Sequence, residues 1–219
     1  MRKQTKVTVV AAVMLAIAAV VLGVVSQSRL DGTEPVATIP SLEDAIVRDE
    51  SRVLGEPGST DVTFVEFLDF ECEACGAAFP IVEELREDYA GDITFVIRYF
   101  PLPGHFNADR AARAVESAAR QGELEAMYTR MYETQSTWGE SREPKDDLFR
   151  SFAEEIGLDM EQFDADYASK SVADRVQRDV EDGRSLGVEG TPTFFVDGDP
   201  FQPETVDDFA QVLDEALAG

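Results

Sequence analysis

The sequence predicts an α/β domain that contains a helical insertion, and three observations support this fold class. A strand, a helix and a second strand follow one another in residues 62–99, which is the arrangement of a right-handed βαβ unit with parallel strands. About 80 residues of helical pattern come next, too many for one crossover between neighbouring strands. A short strand, an Asp-Gly turn and an amphipathic helix then close the chain. The helical residues are therefore expected to form a subdomain within a smaller α/β scaffold.

The strands follow from short apolar runs. Val62–Leu68 and Ile93–Tyr99 are rich in Val, Phe and Ile, the pattern of buried strands. The residues between them alternate apolar and acidic positions at helical spacing. Ser51–Leu54 is expected as an edge strand, and Thr193–Val196 as a strand that ends in an Asp-Gly hairpin turn.

The insertion is expected to consist of several helices. Asn107 is predicted to cap the first of them, and Leu124–Thr134 to form the second. Gln135–Pro144 has the composition of a polar loop, within which Trp138 is expected to pack into the subdomain core. Asp159 is predicted to start a further helix.

The composition indicates a globular protein with a strongly acidic surface. The chain has 219 residues, of which 44% are apolar, and a formal net charge of −25. A surface of this charge repels phosphate, which argues against binding to nucleic acid or to anionic lipid. The simplest interpretation of the acidity is a strongly solvated surface, suited to high salt.

Residues 7–26 predict a transmembrane anchor. The run Val7–Val25 is apolar except for Thr8, and as a helix it would nearly span a hydrocarbon core of about 30 Å. The basic residues 1–6 place the N-terminus in the cytoplasm, so the rest of the chain is expected to be extracytoplasmic. A cleaved signal peptide is the alternative, but the apolar run is long for one. Residues 27–50 lack periodicity and are expected to form a linker.

Cys72 and Cys75 are the only cysteines, and they lie where the first buried strand passes into the helix. A structural disulfide at this spacing would stabilise the fold by only about 2 kcal/mol on a loop-entropy model. A structural zinc site needs four ligands, and His105 is the only histidine that could join the cysteines. A redox-active dithiol fits best, because N–H groups and the helix dipole at a helix start stabilise a thiolate.

Glu66 lies in the middle of the first apolar strand. Burial raises the pKa of a carboxyl group, and a group that titrates near neutral pH can relay a proton to or from Cys75. The alternative is a carboxylate at a sheet edge or in a salt bridge.

The sequence resembles the DsbA-like thiol–disulfide oxidoreductases of the thioredoxin superfamily, in the membrane-anchored form of Gram-positive bacteria such as actinobacteria. The resemblance covers about residues 50–218. The matching motifs are V-E-F-x-D-F-x-C-x-x-C at 65–75, Pro80 in the next helix, R-Y-F-P-L at 98–102 with His105, and G-T-P-T-F at 190–194.

The resemblance implies a thioredoxin fold in three parts. Residues 51–103 would form its first half, 104–187 the helical insert and 188–219 its second half. The transmembrane helix would precede all three parts. No cofactor and no metal are expected.

The resemblance also assigns roles to five residues. Cys72 is expected to be the nucleophile, Cys75 the resolving cysteine and Glu66 the buried acid. Pro192 matches the cis-proline of the family, with Thr191 before it. Their loop would pair with an extended substrate peptide and keep metal away from the cysteines.

The expected activity is the introduction of disulfides into unfolded or cysteine-containing secreted proteins. The reaction would be coupled to a membrane redox partner, either a quinone-linked oxidase or an electron donor, on the outer face of the cell membrane. A disulfide reductase or isomerase is the first alternative. A metal chaperone that uses both cysteines and His105 is less favoured, as is a binding module without catalysis. His105 itself is expected to have a structural or surface role.

The residues between the cysteines depart from the family pattern. Strong oxidants of the family typically have Pro-His there, whereas this chain has Glu73-Ala74. Negative charge on Glu71 and Glu73 is expected to raise the pKa of Cys72. A less stable thiolate would make the protein a weaker oxidant.

Overall fold

A computed structural model describes residues 45–219, which form one five-stranded sheet with helices on both of its faces. The strands are β1 Arg52–Leu54, β2 Thr63–Leu68, β3 Thr94–Tyr99, β4 Thr193–Val196 and β5 Asp199–Phe201. The helices are α1 Glu73–Asp88, α2 Ala108–Ala119, α3 Leu124–Trp138, α4 Asp146–Ile156, α5 Met160–Ala168, α6 Lys170–Ser185 and α7 Asp207–Ala218.

The strand order is β1-β3-β2-β4-β5, and only β2 and β3 run parallel to each other. The predicted βαβ unit is therefore confirmed, and β1 is an edge strand as expected. The β4–β5 hairpin turns at Asp197 and Gly198, whose φ angles are 50° and 87°. A two-residue hairpin of this kind needs positive φ at both positions, which explains the Asp-Gly pair.

Alternating residues of β2 face two separate apolar cores. Phe64 and Leu68 pack with the residues of α1 and α7, including Phe209. Val65 and Phe67 point to the other face, where Val180 of α6 covers them. Because side chains alternate along a strand, Glu66 lies on the face that α1 covers.

The insertion comprises the five helices α2–α6. It differs from the sequence expectation in where α3 ends and in what the side chain of Asn107 does. The predicted loop Gln135–Pro144 is wrong for its first four residues, which continue α3. Trp138 is fully buried as expected, with its ring 4.9 Å from that of Phe149. Asn107 precedes α2 but does not cap it through its side chain, which instead donates to the carbonyl oxygens of Ser141 and Glu143.

The segment before β1 packs on the sheet. Residues 45–50 were expected in the linker, whereas Ala45 and Ile46 are buried. Their carbonyl oxygens accept hydrogen bonds from the buried side chain of Arg98 at 2.8 and 2.6 Å. The predicted anchor at 7–26 lies outside the described residues. Within 45–219, no helix is both long and apolar enough to cross a membrane.

Candidate active site

Cys72 is the N-cap residue of α1, and Cys75 lies in the first turn of that helix. Both are free thiols; Cys72 is 8% exposed and Cys75 is fully buried. The Cys72 N–H donates to the Asp69 carbonyl, and the Cys72 carbonyl accepts from the N–H of Gly76. The chain thus turns tightly from β2 into the helix and leaves the Cys72 sulfur at the helix start.

The two sulfurs have opposite acidities. A hydrogen bond from the Cys75 thiol lowers the pKa of Cys72 to about 5, helped by the Thr191 side chain and by the N–H groups of Cys75 and Ala74, while burial opposes the shift. The pKa of Cys75 is raised, first by burial and then by the hydrogen bond to Cys72 and the charge of Glu66. One thiolate at neutral pH is therefore expected on Cys72.

The expectation that Glu71 and Glu73 raise the pKa of Cys72 is wrong, because the pKa is lowered. The Glu71 carboxylate is buried and accepts a hydrogen bond from the backbone N–H of Asn107 at 2.5 Å. This hydrogen bond directs the carboxylate to the start of α2, and burial raises its pKa overall. Glu73 is exposed on the first turn of α1, where water screens its charge.

Glu66 is 2% exposed, and its Oε2 has no hydrogen-bond partner among the described residues. Its pKa is raised to about 8, mainly by burial and to a smaller extent by the negative charges of Cys72 and Glu83. The alternatives of an edge position and of a salt bridge do not hold, since β2 is a central strand and no ion pair involves Glu66 within 45–219. Glu66 and Cys75 interact electrostatically in the same buried region.

The loop before β4 brings Thr191 and Pro192 to the cysteines. The Cys72 thiol donates to the Thr191 carbonyl at 3.3 Å, across 119 positions of sequence. The Thr191–Pro192 peptide bond is cis, as the resemblance implied. A groove of about 700 Å³ runs from this loop to the end of β5, lined by residues 187, 189–194 and 200–203.

The redox loop is the turn of residues 69–72 between β2 and α1. Asp69 connects this loop to the loop after β3, a role that sequence reasoning missed. Its Oδ1 accepts from the Glu71 N–H at 2.8 Å. Its Oδ2 accepts from the Leu102 N–H at 2.9 Å and lies 2.6 Å from Nδ1 of His105. An aspartate directly after a buried strand and before a turn was the available signal.

His105 is held by this contact beside the redox loop. Burial lowers its pKa, but the hydrogen bond and charge of Asp69 outweigh burial, and the charges of Cys72 and Glu71 add to them, so that the pKa is raised overall. Within residues 45–219, no group of three His, Cys, Asp or Glu side chains is arranged to hold a metal ion.

The arrangement is suited to thiol–disulfide exchange. An acidic, partly accessible sulfur can attack or be attacked, and a buried sulfur with a raised pKa beside an acid can resolve the product. The fold is that of the thioredoxin-like oxidoreductases.

Comparison with known proteins agrees with this class. A thioredoxin family model matches residues 48–215, and the chain belongs to the thioredoxin family. A solved thioredoxin-like oxidoreductase from Silicibacter pomeroyi DSS-3 is 30% identical, with a TM-score of 0.67, 80% of this chain covered and 98% of that chain. The α-DsbA1 of Wolbachia pipientis has the same fold at 18% identity, with a TM-score of 0.70, 82% of this chain covered and 96% of that chain.

One curated relative is a much longer protein. The Na⁺/H⁺ antiporter NhaA of Herminiimonas arsenicoxydans is 35% identical over 169 residues, which is 75% of this chain and 25% of the antiporter. The chain thus spans about a quarter of the length of the curated relatives it matches.

Proposed function

We propose that this protein introduces disulfides into secreted or cell-surface proteins by exchange through Cys72 and Cys75. The observation that carries the proposal is the pair of opposite acidities at the start of α1, with the pKa of Cys72 lowered to about 5 and that of Cys75 raised. A stable Cys72 thiolate favours the reduced form of the pair. A protein whose reduced form is stabilised is an oxidant of its substrates.

In the first step, a substrate thiolate attacks the Cys72 sulfur of the Cys72–Cys75 disulfide. The bond between the two protein sulfurs breaks, and its electron pair leaves on Cys75. A mixed disulfide between substrate and Cys72 forms. Glu66 is the proposed proton donor to Cys75, because a carboxyl with a pKa of about 8 is protonated at neutral pH.

In the second step, another thiolate of the substrate attacks the substrate sulfur of the mixed disulfide. Cys72 leaves as a thiolate, which its low pKa makes a good leaving group. The substrate has lost two electrons and gained a disulfide, and the protein pair is now a dithiol. A membrane oxidase linked to a quinone is the proposed partner that reoxidises it.

Thr191 and Pro192 are the proposed substrate contacts. Residues of the loop line the adjacent groove, and the backbone of such a loop can pair with an extended peptide as an added strand does. The contact between the Cys72 thiol and the Thr191 carbonyl puts the sulfur at one end of this groove.

Residues 7–26 are the proposed membrane anchor, with the catalytic domain outside the cell membrane. The apolar run and the basic residues before it support this assignment. If the anchor is retained, the protein stays in the membrane fraction after alkaline carbonate extraction. Release of a shorter chain that begins near residue 27 would instead indicate a cleaved signal peptide.

The central experiment follows disulfide transfer from the oxidised protein to a reduced, unfolded polypeptide with two cysteines. We expect transfer by the wild type and none by Cys72→Ser. When the polypeptide is supplied in its disulfide form, reduced Cys75→Ser should accumulate a mixed disulfide, because the Cys72 thiolate attacks the polypeptide disulfide, one polypeptide sulfur leaves as a thiolate, and no Cys75 thiol is present to release the other. Alkylation trapping in cells gives the direction of electron flow. A pair found mostly reduced in cells would favour a reductase or isomerase, and absence of transfer in vitro would refute the proposal.

A further inference from the structure

A glutamine of the helical insert holds the backbone of the redox loop. The amide of Gln135, near the end of α3, donates from Nε2 to the carbonyl oxygens of Phe70 and Cys72, each at 2.8 Å. Within residues 45–219, the Phe70 carbonyl has no other hydrogen bond, and Phe70 is 1% exposed. The Gln135 amide therefore satisfies a carbonyl group that water reaches poorly.

Gly76 allows the glutamine to approach this closely. A Cβ atom at Gly76 would lie 2.1 Å from Oε1 of Gln135, far inside van der Waals contact. The Gly76 N–H also donates to the Cys72 carbonyl at 3.0 Å. One carbonyl oxygen, that of Cys72, is thus held both by the first turn of α1 and by the insert.

The helix that carries Gln135 is firmly packed against the redox segment. The ring of Tyr132, one turn earlier on α3, lies 5.1 Å from that of Phe70 and 5.2 Å from that of Phe79 in α1. Trp138, one turn later, is fully buried. The amide is therefore presented from a fixed helix, and its two hydrogen bonds need little further ordering of the chain.

We propose that Gln135 is a positioning residue for disulfide exchange. By fixing the segment from Phe70 to Cys72 against α1, it keeps the Cys72 sulfur within reach of the Cys75 thiol, the N–H groups of the helix start and the Thr191 carbonyl. This inference rests on the proposed function, because positioning matters only if Cys72 exchanges disulfides. It assigns the insert a part in the chemistry of the redox pair.

The test is the pH dependence of Cys72 alkylation by iodoacetamide in the reduced, full-length protein. Gln135→Ala should move the half-maximal pH upward by about one unit, the order expected for the loss of a hydrogen bond, so that alkylation slows by about tenfold at pH 4 and by about twofold at pH 6. Gly76→Ala should act in the same direction, because its Cβ displaces the amide. Gln177→Ala is the matched control, since Gln177 is an exposed insert glutamine that bonds only to Glu181 at 3.1 Å.

A double-mutant cycle separates positioning from general loss of structure. Once Gln135 is Ala, the Gly76→Ala change should add little, because the atom it displaces is gone. Equal effects of Gly76→Ala in both backgrounds would overturn the inference. So would a Gln135→Ala variant that is less stable in urea but keeps the wild-type alkylation profile. Failure of the wild type to transfer disulfides would refute the proposed function, while the alkylation profile still tests Gln135.

Discussion

At Cys72, neighbouring groups favour negative charge on one sulfur of the pair and lower its pKa to about 5. The largest contribution comes from the Cys75 thiol, and Thr191 and two N–H groups of the helix start add to it. Cys75 lies one turn deeper, with no exposed surface. Reduction of the disulfide then produces one thiolate and one thiol near neutral pH. The pKa of Cys72 therefore determines how many protons the reduction takes up.

The pH dependence of the reduction potential tests this balance. Below the Cys72 pKa of about 5, reduction takes up two protons, and above it only one. The potential should therefore fall by about 59 mV per pH unit below pH 5 and by about 30 mV per unit between pH 5 and 7. Equilibration with glutathione or dithiothreitol buffers over this range measures it. A single slope of about 59 mV throughout would mean that Cys72 stays protonated.

Glu66 should make the reduced protein less stable as the pH rises. Its pKa is about 8 in the folded protein against an ordinary value of 4.5. Between these values the folded state holds a proton that the unfolded state has lost, so the free energy of unfolding falls with increasing pH. Glu66→Gln should raise it at pH 8 by roughly 2–4 kcal/mol and change it little at pH 4.

Urea unfolding of the reduced wild type and of Glu66→Gln at both pH values measures this difference. Glu87→Gln is a suitable control, because Glu87 is exposed on the same helix and is not among the charges that act on Glu66. An equal gain at pH 4 and pH 8 would show that the effect comes from packing, not from titration.

For single residues, the sequence identified the main residues of the site but was wrong about how the neighbouring acids affect the pKa of Cys72. The positions of Cys72, Glu66 and Pro192 followed from motifs. The acidity of Cys72 did not, because Glu71 is adjacent in sequence but bonds to the start of α2. Gln135 was placed in a loop, because the polar residues before Trp138 gave no sign that α3 continues through them. Such contacts depend on tertiary packing that local patterns do not encode.

Among the elements, α6 joins the insert to the sheet through buried charges. Arg98 of β3 is fully buried and donates to Asp179 and Asp182 of α6, each at 2.6 Å. Arg48 also pairs with Asp182. The sequence showed α6 only as a polar helix, because the partners of its acidic residues lie about 80 positions earlier on β3. Breaking this cluster should loosen the insert from the sheet.

Asp179→Asn should lower the free energy of unfolding by about 3–5 kcal/mol, because it removes the carboxylate that Arg98 and Arg175 share and leaves Asp182 as the one carboxylate of the cluster. Thermal or urea unfolding measures the loss. Asp164→Asn is the matched control, since Asp164 pairs with Arg150 and both side chains are well exposed. Its effect should be within experimental error. Similar effects of the two changes would contradict the assignment of the buried cluster.

For the whole molecule, the excess of acidic residues makes the electrostatic potential around the protein negative. The chain has 44 Asp and Glu against 19 Lys and Arg. Many of the basic residues are arginines engaged in ion pairs within the described domain. Self-repulsion of the remaining charge opposes the compact state, and salt screens it. The general α/β layout and the acidity were both readable from sequence, whereas the pairing of individual arginines was not.

The thermal midpoint of the reduced protein should therefore rise as sodium chloride is increased from 0.02 to 0.5 M.

The reduced protein should also react faster with cystamine, a cationic disulfide, than with anionic oxidised glutathione at low salt. The ratio of the two rate constants should shrink as salt is added. Stopped-flow measurements at several salt concentrations give the ratio. A ratio independent of salt would mean that the acidic surface does not influence the approach to Cys72.

The contact between Cys72 and Thr191 has a consequence for biosynthesis. The two residues are separated by 119 positions, and β4, which directly follows the Thr191 loop, pairs with the central strand β2. Chains are made from the N-terminus onward. The cysteines therefore leave the ribosome long before Thr191 does, and the contact between Cys72 and the Thr191 loop forms only with the last part of the domain. The pKa of Cys72 reaches its final value only at that stage, when Thr191 joins the contacts of the helix start.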